Sequence, residues 1–315
     1  MSGKGRCVLL GMGMLAASNS FGTMVLSLMA RPKVAMVAQC NILIWDPETK
    51  TEHLIQSSAV TSQEKRFEIL IPTPLIPRVK EVGNAPIDLL ANLLIPKAAF
   101  PVKKKNPEDE LDKDFGTLIR GGVEVQQVAI VGNLKATTIK ASDILALSEW
   151  MEKNKYKANA AQKKWLEGFV QKRWFLTALQ VNSESEALKT SAFRLSFKTE
   201  VPVVPYTSPQ NNWVQGIKQE MFVVSPVPLQ GAIGGKLPWN ARLMGHKYLS
   251  RDDSEKFAKT LGLNSNELPK HPWADRFQET SVDNVATEEL YFVPVPKAAP
   301  VPIGNPKATR SSKRA

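Results

Sequence analysis

VEVQQVAIVGNLKATTIKASDILALSEWMEKNKYKANAAQKKWLEGFVQKRWFLTALQV, residues 123–181, followed by FRLSFKT, 193–199, carries the clearest periodicity in the chain. It reads as hairpin, helix, helix, strand, strand. Gly132-Asn133 between two apolar runs is tight-turn chemistry, because glycine takes the positive φ that a primed turn needs. Ser142 is expected to cap the first helix, with Asp143 suiting the positive end of its dipole. Ile144, Leu147, Trp150 and Met151 recur at helical spacing, and Asn154-Lys155 end the run. A second helix is expected from near Asn159, with Ala161, Trp165, Phe169 and Val170 on one side and Lys172-Arg173 at its end. WFLTALQV, 174–181, is apolar almost throughout, as a strand buried on both faces would be. FRLSFKT alternates, so Phe193, Leu195 and Phe197 are expected inward, with Arg194, Ser196 and Lys198 outward. The fold class expected is α+β: antiparallel sheet with a helix pair packed on one face, plus a Pro-rich extended C-terminal region.

Working outward, AMVAQCNILIW (35–45), EHLIQSSAV (52–60) and RFEILIP (66–72) read as three strands in a meander. Pro47 lies in the first turn and Pro72, Pro74 and Pro77 end the third strand. Asn84-Ala85-Pro86 can start a short helix halted by Pro96. KKKNPEDELDKD, 103–114, reads as a solvated loop. A further helix is expected with Asp252 as cap, Glu255 three residues on and Gly262 closing it. The expected divisions are a body at 21–225, a loop-rich extension with one short helix at 226–292, and a Pro-rich basic tail at 293–315.

The 315 residues carry a net charge of +11. Lys4 and Arg6, with Lys297, Lys307, Arg310, Lys313 and Arg314, account for seven of these charges and leave +4 for residues 21–292. A body so mildly basic is a poor nucleic-acid platform. Lys4 and Arg6 precede the apolar run CVLLGMGMLAA and then Ser18-Asn19-Ser20. This is the pattern of a signal peptide over 1–20, cleaved after Ser20; a membrane anchor over 7–30 is the alternative. Either places the body outside the cytosol. With Cys7 removed, Cys40 has no internal partner and reads as a buried filler.

ILIWDPETKTEHLI (42–55), FEILIPTP (67–74), LKATTIKASDILALSEWMEKN (134–154), WLEGFVQKRWFLTALQV (165–181) and FRLSFKTEVPVVP (193–205) resemble, in that order, one exported bacterial family. It is catalogued as domain of unknown function 2330. The resemblance covers roughly residues 35–225 and implies export and a mixed helix-and-sheet body; it implies no activity. Members open with a Cys-Gly-aromatic run, where this sequence has Phe21-Gly22.

The search for chemistry is largely negative. Neither G-x-S-x-G nor H-E-x-x-H occurs, and no cofactor-binding motif is visible. GAIGGKL, 231–237, fails the phosphate-loop spacing and reads as a turn. His53 beside Glu52, with Asp46 and Glu48 across the turn, is a weak metal candidate; a solvated hairpin end explains the same residues. His271 has no sequence-adjacent partner. Glu149 and Glu152 read as a solvent face. Trp150, Trp165 and Trp174 fall on inward faces and read as core, whereas Trp213 and Trp273 lie in Pro-rich context and suit a contact surface. With Lys307, Arg310, Lys313 and Arg314 they make the expected interaction set. The function expected is that of a non-catalytic exported structural or interaction subunit of an envelope or cell-surface assembly. Its partners would be proteins, with the membrane nearby and no nucleic acid. The alternative is an envelope hydrolase or metal-binding protein with its site near His53.

Overall fold

The computed structural model describes residues 22–27, 34–95, 114–115, 118–120, 122–131, 134–182, 186–207, 209, 213–280 and 288–296. The first elements are β1 (Met24–Ser27), β2 (Val34–Asp46), β3 (Thr51–Ser62), β4 (Arg66–Thr73), β5 (Arg78–Glu81) and α1 (Ala85–Leu93). Next come β6 (Asp114–Phe115), β7 (Leu118–Arg120), β8 (Val123–Val131), β9 (Leu134–Ala141), α2 (Ile144–Lys153), α3 (Ala160–Gln171) and β10 (Phe175–Asn182). They are followed by β11 (Ala187–Lys189), β12 (Phe193–Lys198), β13 (Val203–Val204), β14 (Trp213–Ser225), β15 (Leu229–Ile233) and β16 (Leu237–Pro238). The last are β17 (Arg242–Tyr248), α4 (Arg251–Thr260), a 3-10 turn at Ser265–Glu267, β18 (Trp273–Thr280) and β19 (Leu290–Pro294).

The strands form three sheets. The first runs β1-β4-β10-β9-β8-β6, with β7 also on β8; the second runs β17-β18-β14-β2-β3-β12-β5, with β11 also on β3; the third runs β13-β19-β15-β16. This corrects the expected α+β class. Among the described residues the molecule is mainly β, 50% strand against 20% helix. The difference arises largely in the Pro-punctuated third of the chain. There, Pro226 and Pro228 fall between β14 and β15, so both strands keep their ladders around them. The long strand β14 pairs in parallel with β2 on one side and antiparallel with β18 on the other. It is therefore central to the second sheet.

The meander is also corrected. β2 and β3 form the expected hairpin, but β4 leaves their sheet and pairs with β1 and β10. The reversal at Ser62–Arg66 carries the chain from one layer to the other, and Phe67, Ile69 and Ile71 then pack back toward β2 and β3 from the opposite side. In the module read first, β8 and β9 pair antiparallel as a hairpin; the turn at 132–133 lies outside the described residues. Asp143, not Ser142, caps α2, its side chain accepting the Ala146 amide at 2.9 Å. Asn159 and Gln162 form a reciprocal capping box on α3. α4 begins earlier than expected: Ser250 is its cap and accepts the Asp253 amide. Gly262 follows its end with φ +59°, where a side chain would be strained.

Three apolar clusters hold the layers together. The largest joins all three sheets: Phe67 and Leu179 of the first, Leu43 and Met221 of the second, Leu229 and Phe292 of the third. A second lies on the far face of the first sheet, where Leu147, Met151, Trp165 and Phe169 of α2 and α3 meet Ile139 and Leu176. A third covers the outer face of the second sheet, where Leu90 of α1 and Phe257 of α4 meet Ile42 and Phe222.

Polar ties cross between sheets. The Tyr206 amide donates to Glu289 at 2.9 Å and its hydroxyl donates to Glu279. Lys172, at the end of α3, pairs with Glu289 at 2.8 Å. The Trp165 indole donates to the Thr207 carbonyl at 2.7 Å, and the Gly22 amide to the Pro205 carbonyl at 2.5 Å. A Cβ on Gly22 would meet the Thr207 oxygen at 2.6 Å, so this close approach needs glycine. The cleavage site after Ser20 lies outside the described residues, as does the loop expected at 103–114 except Asp114, which opens β6. The alternative anchor, 7–30, overlaps strand β1, and no helix among the described residues is long and apolar enough to cross a membrane.

Candidate functional site

Side chains alternate across a strand, and this decides what becomes of the metal candidates. Asp46 pairs with Thr51, and His53 with Ile44, so both point to the outer face of the second sheet; Glu52 points to the inner face. Asp46 is used by its own turn, accepting the Glu48 amide at 3.0 Å and the Thr49 hydroxyl at 2.8 Å. Glu52 accepts the Val203 amide at 2.9 Å. Burial pushes its carboxyl well above the ordinary range. The structure therefore does not bring Asp46, Glu52 and His53 together. No group of three or more His, Cys, Asp or Glu among the described residues is placed to hold a metal ion.

His53 has a different neighbour. Its Nδ1 lies 2.8 Å from the Ser196 hydroxyl. Burial, helped by the nearby Arg194 guanidinium, pulls the imidazole down to about 4, so it is neutral at pH 7. A hydroxyl beside a neutral imidazole is the pairing from which nucleophiles are built. Both groups are nearly sealed from solvent, at 4% and 5% exposure. The bond ties β3 to β12, where Ser196 and His53 are directly paired. Ser196 thus lies on the face opposite Phe193, Leu195 and Phe197, as the alternation has it, but buried there and not in solvent.

Trp150, Trp165 and Trp174 belong to the cluster under α2 and α3. Glu149 and Glu152 are exposed. Gly234 and Gly235 take φ of +61° and +73° in the turn between β15 and β16. Cys40 is a free thiol whose ionisation is suppressed by burial. Trp213 opens β14, its backbone paired with Met36. Lys307, Arg310, Lys313 and Arg314 lie outside the described residues.

Trp273 is the member of the expected set with the most developed surroundings. It opens β18 and pairs with Tyr248 on β17, while Asp275 pairs with His246. Residues two apart on a strand share a face, so all four lie together at the sheet's last strand. The His246 ring stacks on Trp273 at 5.0 Å and 25°, and Tyr248 meets it edge-on at 4.7 Å and 76°. The indole N–H of Trp273 donates to Asp275 Oδ1 at 2.8 Å, which fixes the ring plane. Burial raises the Asp275 carboxyl; the Trp273 bond, the His246 charge and the Leu229 amide work against this. His246 and Tyr248 are exposed and Asp275 is buried.

Leu229 links this aromatic edge to a second feature. On its other side lies a cleft of about 310 Å³ whose walls include Trp45, Pro202, Pro226, Leu229, Phe292 and Pro294. Cleft and aromatic edge thus flank the segment Pro226–Leu229 at one end of the molecule. Sequence reasoning singled out Trp273 but not His246 or Tyr248. Their shared face depends on the β17–β18 register, which carries an irregularity between Leu243 and Gly245. The aromatic residues in GHKYL and HPW were the available signal.

A family model described as an uncharacterised protein conserved in bacteria, domain of unknown function 2330, matches residues 15–212. No curated protein matches the sequence. Among solved structures, the crystal structure of baculovirus P35 aligns with a TM-score of 0.41 and 8% identity, covering 84% of this chain and 98% of that one.

Proposed function

We propose that this chain, which belongs to the bacterial family of domain of unknown function 2330, is an exported interaction protein. In this reading it docks onto a protein partner in the envelope or at the cell surface. The observation that carries the reading is the aromatic edge of His246, Tyr248 and Trp273. Tyrosine and tryptophan dominate the energetics of protein contacts because they bury much area at little entropic cost. Here the rings are held in place by Asp275 and by one another, so little ordering remains for binding to supply. Export rests on Lys4, Arg6 and the apolar run that follows. The basic residues 307–314 add an electrostatic contact to an acidic partner or an anionic surface.

The test is capture from the native envelope with the full chain and with a His246→Ala/Tyr248→Ala double variant. Both side chains are exposed, so the fold should tolerate the change. The expected result is a defined partner retained by the wild type and reduced about tenfold or more by the variant, about 1.4 kcal/mol. Equal capture by both proteins, or native material found only in the cytosol, would sink the reading. A second reading, an envelope hydrolase or metal-binding protein at His53, has the Ser196–His53 hydrogen bond behind it. Stoichiometric metal lost on His53→Ala, or Ser196 labelled by an acylating probe, would promote it.

A further inference from the structure

The cleft beside Pro226–Leu229 has an open apolar mouth. Val201 and Val227 stand there at 42% and 45% exposure. The path of the chain points to its occupant. Pro294 of β19 is itself part of the wall, and the described chain leaves this end of the molecule at Val295 and Pro296. The sequence that continues from there is KAAPVPIGNP, 297–306. Seven extended residues reach about 23 Å, ample to turn at Lys297–Ala299 and come back to the mouth.

We propose that residues 300–303, Pro-Val-Pro-Ile, of this chain's own C-terminal segment seat in the cleft. Proline rings and branched side chains match its apolar walls, and their preset φ lowers the entropy lost on seating. The contact is independent of the docking reading and stands or falls without it. It also delivers the basic residues 307–314 to the end of the molecule that carries the aromatic edge.

The experiment compares amide hydrogen exchange in the full chain, a chain ending at residue 297, and a Val301→Asp variant of the full chain. Segments 199–203 and 225–229 should exchange about fivefold faster or more in both altered proteins, with the rest unchanged. A synthetic peptide of residues 297–308 should restore protection to the shortened chain, and Val227→Asp in that chain should abolish the rescue. Equal exchange in the three proteins overturns the proposal. Protection that disappears on dilution assigns the seat to a neighbouring copy's tail and overturns the intramolecular contact.

Discussion

Glu68 and His53 are two buried titratable residues whose pH dependences run in opposite directions. Glu68 is 3% exposed, and burial pushes it up to about 7 against the Tyr156 hydroxyl bond that favours its charge. Its folded pKa lies above the ordinary 4.5, so the folded state keeps the proton longer. Stability from this group is therefore full below pH 4.5 and lost as pH rises to about 7. His53, pulled from 6.5 down to about 4, behaves oppositely: the stability it contributes is lost as pH falls from 6.5 through 4. We expect Glu68→Gln to stabilise the protein on the order of 2–3 kcal/mol at pH 8. The gain should shrink toward zero near pH 4.5, read as the shift in urea midpoint across that range; a pH-independent difference would contradict this assignment. Neither environment was legible in the sequence. Glu52 and His53 are adjacent letters, yet the pleat sends one to each face, and their partners Val203 and Ser196 lie far along the chain.

At the scale of single elements, local chemistry was most informative where the pattern is self-contained. The capping box of α3 joins Asn159 and Gln162 through two 2.9 Å bonds. Asn159→Ala should cost about 1 kcal/mol, seen as a lowered melting temperature with an unchanged core. Tertiary approach overrides local pattern at Gly245. A Cβ there would press on the Leu94 carbonyl, just past the end of α1. We expect Gly245→Ala to cost about 1–3 kcal/mol by moving a backbone that has little room to yield. Hydrogen exchange should rise in α1 and β17, leaving α3 untouched. β17 itself was not recognised, because its register irregularity breaks the two-residue alternation on which strand reading depends.

At the scale of the molecule, three sheets unfold as one unit only if the ties between them hold. Tyr206 is fully buried and reaches both Glu289 and Glu279. Tyr206→Phe leaves the Glu279 carboxyl without its hydroxyl donor. It should cost about 1–3 kcal/mol, and urea unfolding should show the midpoint fall with a single transition retained. Two separated transitions would mean that the third sheet is held by other contacts. The mainly β class emerges at this scale, because β14 becomes a central strand only by lying parallel to β2 across much of the chain.

By itself the sequence determined the hairpin of β2 and β3, the pairing of β8 with β9, the helices α1 to α3 and the buried character of β10. In each, periodicity and turn or capping residues act within a few positions of one another. Tertiary structure alone decided that β4 changes sheet, that Pro-punctuated strands complete two sheets, and that His246, Tyr248 and Trp273 share a face. Those outcomes depend on register between distant strands, and register is chosen by how whole faces bury together.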